Sequence, residues 1–195
     1  QSLSEQHRRD PLNEIISWAL ADALIFSGRP AEAIVILEEL EDFTHRDYYL
    51  ALAAIYSGDL GTARELLQNV EMRSGTMPAE YADLLIDALE DPGRKSDIAE
   101  QVFGAAMAGE LDKRVGFECL LIIDSPLAFD LGLDPVADIR NLQLHAQIWN
   151  NWAVALRQDP RFKDWVEALG YVDFWRKNGW PDRCRPTSLT GFECI

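Results

Sequence analysis

Apolar and small residues recur along the chain at helical spacing, in runs broken by Gly and Pro. Leu20-Ala21-Asp22-Ala23-Leu24-Ile25-Phe26 leads into Ser27-Gly28-Arg29-Pro30, and Ala33, Ile34, Leu37 and Leu40 continue the period. Residues three and four apart share one side of a helix, so this spacing predicts two helices joined by a Gly-containing turn. Asp10-Pro11 offers a start for the first, with Asp as N-cap and Pro in the opening turn. The residues before it are polar and read as frayed. Further helices are predicted over about 45–57, 60–70, 79–90, 96–108 and 111–123, with Gly58, Asp91-Pro92-Gly93 and Gly109 as punctuation. Residues 72–78 read as a loop. Ser125-Pro126 opens a short helix that Gly132 ends. Asp134-Pro135 opens the longest one, to about Arg157, and Asp159-Pro160 opens another that ends at Gly170. A last helix over 171–178 is closed by Gly179, and the tail after it has no helical period. No stretch alternates as a strand would, so the expected class is all-α.

The predicted hairpins repeat. Gly28 and Gly58 are 30 residues apart, and Gly58 and Gly93 are 35 apart. Aligned on these glycines, the copies carry Leu20, Leu50 and Leu85, then Ala21, Ala51 and Ile86. After the turn come Ala33, Ala63 and Ile98, then Leu37, Leu67 and Val102. Small residues where helices cross, with large aliphatics one turn away, suit close antiparallel packing. A period in this range with this layout marks a helical solenoid.

On these residues the stretch 14–108 resembles the tetratricopeptide-repeat family, whose helix–turn–helix carries a Leu, a small residue, a turn Gly and a later Ala. The family's Trp and Tyr anchors are replaced by Ser17, Leu24, Asp47 and Ala54, and the third copy departs further. Asp159-Pro160-Arg161-Phe162, Leu169-Gly170-Tyr171, Phe174-Trp175 and Gly179-Trp180-Pro181-Asp182 with Cys184 give a second resemblance. It is to the closing segment of bacterial proteins that carry a winged-helix DNA-binding domain or an adenylate cyclase domain ahead of a tetratricopeptide sensor region. The two resemblances imply a right-handed α-α superhelix with a C-terminal helical cap. Residues 1–13 would be an extension, 14–132 the hairpin repeats and 133–195 the capping helices with a Cys-containing tail. They also imply that the chain, which starts at Gln1, is a piece of a longer regulator.

In the family the first helix of each pair lines a concave groove. Carried over, the groove would hold Trp18, Asp22, Ile25 and Phe26, then Tyr48, Leu52, Ile55 and Tyr56, then Glu80, Asp83, Asp87, Glu90 and Asp91. It would run from aromatic to acidic. Aromatics anchor peptides and carboxylates receive Lys or Arg, so the expected ligand is a protein or peptide with an apolar anchor and a basic end. The competing expectation is that the aromatics pack against neighbouring helices or residues 1–13, and that the acids form a solvated face. A small-molecule sensor using the same aromatics is the alternative function, and a helical enzyme comes third.

Charge narrows the partners. With 18 Lys and Arg against 33 Asp and Glu, the chain carries a formal −15. Nucleic-acid binding rests on neutralising phosphates with cations, so direct nucleic-acid contact is disfavoured, as is an anionic membrane surface. The apolar runs, such as Leu120-Leu121-Ile122-Ile123, are far too short to cross a bilayer.

Little else suggests chemistry. His7, His45 and His145 are scattered, no Cys or His pair has metal-ligand spacing, and no phosphate loop follows a strand. No cofactor and no catalytic activity are expected. Cys184 and Cys194 sit ten positions apart in the tail. A disulfide between them would pin that tail and imply an oxidising compartment such as a periplasm, whereas two free thiols would suit a cytosol. Cys119 beside Leu120 reads as a buried small residue. Trp149, Trp152, Trp165, Trp175 and Trp180 crowd the C-terminal part and are expected to build a capping core.

Overall fold

The computed structural model of the chain describes all residues except 1, 12, 41–42, 69, 73–74, 132–148, 150–152 and 189–190. It is mostly helical. The chain divides into two units, Gln1–Ile98 and Ala99–Ile195. The division falls within a helix, whereas the boundary suggested by the sequence, at 132/133, lies outside the described residues.

The first unit contains α1 (Leu3–Arg9), α2 (Glu14–Phe26), α3 (Pro30–Glu38), α4 (Arg46–Ser57), α5 (Leu60–Leu67) and α6 (Ala79–Glu90). The helix α7 (Lys95–Ala108) begins in it. The ends of α2 and α4 are built alike. Gly28 has φ 76° and Gly58 φ 78°, a left-handed conformation that costs a residue with a side chain and suits Gly. The amides of Gly28 and Arg29 donate to the carbonyls of Ile25 and Leu24, at 3.0 and 2.9 Å. The amides of Gly58 and Asp59 donate to Ile55 and Ala54 at the same distances. This pair of bonds satisfies the orphan carbonyls of a helix end and reverses the chain. Of the residues that the period makes equivalent, Ala21 and Ala51, Ala33 and Ala63, and Leu37 and Leu67 are fully buried, whereas Leu20 is buried and Leu50 only half-buried. α3 packs on α2 and α4, α5 on α4 and α6, and α2 touches α4.

Four sequence expectations change in this unit. Gly93 is not a third copy of the turn, since it is absent from the left-handed glycines. Its amide donates to Asp91 Oδ1 at 2.9 Å, so an Asx turn replaces the αL cap between α6 and α7. Residues 3–9 form a helix rather than a frayed end, because Ser2 Oγ accepts from the Glu5 amide and α1 packs on α2. Ser17 Oγ gives its proton to the Pro11 carbonyl at 3.2 Å and lies 2.9 Å from His7 Nδ1, within hydrogen-bond distance, which fastens α1. The cap of α2 is Asn13, not Asp10, with Oδ1 accepting from the Ile16 amide at 3.2 Å. The expected loop over 72–78 contains part of a short antiparallel ladder, β1 (Glu71–Met72) with β2 (Gly75–Thr76), which pairs Glu71 with Thr76 and Met72 with Gly75.

In the second unit, Gly109 (φ 78°) ends α7 with the bonding pattern of Gly28. α8 (Lys113–Ile122) is buried at every residue from Val115 to Ile122. Gly116 lets it approach α7, since a Cβ there would lie 2.9 Å from the Ala106 Cβ. Asp124, at φ 53°, takes the left-handed position after α8. Its carboxylate accepts from the amides of Ala155 at 3.0 Å and Leu156 at 3.2 Å, capping α9 (Val154–Gln158) across 30 residues of sequence. A 3-10 helix (Pro126–Leu131) packs on α8, and Arg161 reaches from α10 (Pro160–Ala168) to the Pro126 carbonyl at 3.2 Å and to Asp130. α11 (Tyr171–Asn178) precedes β3 (Cys184–Pro186) and β4 (Phe192–Cys194), antiparallel strands in a tail where no strand was expected. Most of the long helix expected over 134–157 lies outside the described residues. Its described end is α9, which starts at Val154.

Candidate functional site

The residues carried over to the groove separate by burial. Tyr48 and Leu52 are each 1% exposed and belong to the core, as does Ile25. They cannot line an open surface in this structure. For Tyr48 the physical reason is an aromatic knot built from residues distant in sequence. Tyr49, also 1% exposed, packs edge-on to Tyr48 (ring centroids 5.4 Å apart) and to Trp18 (5.9 Å), and stacks on Phe43 at 6.2 Å. Phe43 lies outside any helix, in the connection from α3 to α4. Trp18, Asp22, Phe26 and Tyr56 remain half-buried. The first three follow one another at four-residue steps along α2, so they share a stripe.

The acids of α6 are engaged from within the chain. Arg64, projecting from α5, donates to Asp83 at 3.0 Å, to Asp87 at 2.9 Å and to Glu90 at 3.1 Å. Arg94 adds a bond to the other Asp87 oxygen at 2.8 Å. Hydrogen bonds from Arg64, and then from Arg94, hold the Asp87 carboxyl below the usual carboxylate range. The same partners, Asp87 foremost, raise the Arg64 guanidinium. Three carboxylates against two guanidiniums leave this cluster near neutrality, while Glu80 and Asp91 stay exposed. The acidic character of the unit survives more widely, with eight Lys and Arg against nineteen Asp and Glu in residues 1–98, a net of −11. Arg64 escaped the sequence reading because it lies 19 to 26 residues from its partners. Its position on the helix before an acidic one was the available signal.

The tail is bonded. Cys184 and Cys194 form a disulfide, joining residues directly opposite in the β3–β4 ladder. Cys119 is buried, and the loss of solvation pushes its thiol well above the ordinary range. Of the five C-terminal Trp residues, Trp149, Trp175 and Trp180 assemble. Trp175 stacks on Tyr171 at 5.9 Å and contacts Trp149 at 5.6 Å, Trp180 at 5.5 Å and Phe192 at 6.0 Å. Trp165 is half-buried on α10, and Trp152 lies outside the described residues.

Among the described residues, no group of three His, Cys, Asp or Glu is placed to hold a metal, and no helix is long and apolar enough to cross a membrane. Set beside known proteins, the chain matches no family model, no curated protein and no solved structure.

Proposed function

We propose that this chain is a helical-repeat binding module of the tetratricopeptide kind, serving a larger bacterial regulatory protein by holding a segment of another protein. The observation that carries the reading is the 30-residue recurrence of one construction. Gly28 and Gly58 make the same left-handed turn with the same bonds, and Ala21 with Ala51, Ala33 with Ala63 and Leu37 with Leu67 are equally buried. A unit repeated in this way stacks by neighbour contacts and leaves one helix of each pair to face a ligand. A right-handed superhelix is the arrangement such stacking favours.

The ligand-facing stripe is narrower than the sequence implies. Trp18, Asp22 and Phe26 of α2, with Tyr56 of α4, are half-buried and can still offer an apolar anchor site. The surplus of carboxylates in residues 1–98 favours a basic segment, with Arg64 and Arg94 tempering that preference. The Cys184–Cys194 bridge supports an oxidising compartment for the module. Purified protein on an array of peptides, varied separately in basic charge and apolar anchor, tests the reading. Retention of apolar-anchored basic peptides, lost with Phe26→Ala and Asp22→Arg together, is the expected result. Retention that ignores both substitutions, or no retention, would exclude this stripe as the binding surface.

A further inference from the structure

α2 has a buried side, formed by Ser17, Leu20, Ala21, Leu24 and Ile25. A second seam runs through Ile15, Ala19, Asp22 and Phe26, at steps of four, three and four residues. That is the spacing at which one helix meets another along its length, and it covers about 16 Å at 1.5 Å per residue. Ile15 is 74% exposed, more than any other large apolar residue described. Ala19, Asp22 and Phe26 are half-buried.

The repeat shows this seam in its covered form. Thirty residues on, the same positions are His45 at the start of α4 and Tyr49, Leu52 and Tyr56 within it. Tyr49 and Leu52 are each 1% exposed, and Trp18 of α2 lies edge-on to Tyr49 at 5.9 Å. In α4 the seam is a packing surface. In α2 it is open at Ile15.

Charge decides the occupant. The charged residues of α2 are Glu14 and Asp22, both acidic, in a unit whose net charge is −11. A carboxylate within an otherwise apolar seam fixes the register of a partner helix and selects a cation opposite it. Ala19, being small, leaves room for a large side chain to enter between its neighbours.

We propose that this seam receives an amphipathic helix of another protein. That helix sets a large aliphatic residue over Ala19, apolar residues against Ile15 and Phe26, and Lys or Arg against Asp22. The proposal rests on the α2 stripe being the ligand surface; it adds Ile15 and Ala19 to that surface and a helical form to the ligand. Recognition of this kind reads anchors at helical spacing along one face.

The experiment titrates the full chain with alanine-based peptides of about eighteen residues, long enough to be helical alone. They carry Leu to face Ile15, Ala19 and Phe26 and Lys to face Asp22, written in either direction, and a control has Pro at the centre of the same sequence. One direction is expected to bind, and the Pro control to bind at least about tenfold more weakly. Ile15→Asp, at an exposed position that leaves the fold intact, should cost a similar factor. Glu in place of the peptide's Lys should abolish binding, and Asp22→Lys in the protein should restore it. Equal binding of the Pro control, or an affinity unchanged by Ile15→Asp, would overturn the helical seam. The stripe itself would stand in that case if array peptides are still retained and still lost with Asp22→Arg and Phe26→Ala; failure of the array peptides as well would remove both. A native chain that doubles its mass, where Ile15→Asp does not, would make the occupant a second copy and overturn the foreign helix.

Discussion

Arg64 donates to Asp87 at 2.9 Å across 23 residues of sequence and ties α5 to α6. Asp87 has its carboxyl depressed by that bond, so the folded chain takes up a proton there less readily than the unfolded one. Its contribution to stability is present above the ordinary carboxylate range and is lost as pH falls through that range and below. Arg64→Ala should cost about 1 kcal/mol or less at neutral pH, because the pair is partly solvated, and should flatten the acid limb of the stability curve. Urea melts of both proteins at about pH 7 and about pH 3 check this. An acid sensitivity equal in the two would show that the Arg64 bonds do not set it.

Gly58 and Gly93 occupy corresponding places in the sequence and different backbones in the structure. A Cβ on Gly58 would meet nothing within 4 Å, so its cost is conformational alone, from φ 78°. Gly58→Ala should destabilise by roughly 1–2 kcal/mol. Gly93→Ala meets only the end of the exposed Asp91 side chain, at 3.1 Å, and should cost clearly less. Thermal melts of the two variants rank them, and an equal loss would restore Gly93 as a third copy of the turn.

Trp175 is 6% exposed and sits at the centre of four ring contacts. Trp175→Ala should lower stability by roughly 3–5 kcal/mol, as truncation of a buried aromatic does. Chemical denaturation followed at the remaining tryptophans measures it. A loss under about 1 kcal/mol would mean that the cluster is a surface and not a core.

The scaffold was largely legible in the sequence because it rests on local signals. Gly28, Gly58 and Gly109 mark helix ends by a conformation that Gly adopts cheaply, and Pro30 and Pro160 mark starts. The small and aliphatic residues then marked core positions such as Ala21 and Ala51, Ala33 and Ala63, and Leu37 and Leu67. What escaped depends on contacts distant in sequence. Tyr48 and Leu52 look like ligand-facing residues by spacing and are both buried, and for Tyr48 the cause is the cluster that Tyr49 forms with Phe43 and Trp18. The acids of α6 look free until α5 places Arg64 among them. Asp124 gave no hint of capping a helix that starts 30 residues later. Short strands such as β3 and β4 have too few residues for alternation to show, and the Cys spacing was the only trace of their pairing.

The central claim is that a segment of another protein binds along the α2 stripe of the repeat. The most direct measurement is the dissociation constant of the best array peptide, titrated against the native chain and against the Asp22→Arg, Phe26→Ala double variant. Both side chains are half-buried, so the variant should keep its helical circular dichroism. The account predicts a loss of at least about tenfold in affinity, the scale of one interface hot spot. An unchanged constant in a folded variant would contradict it.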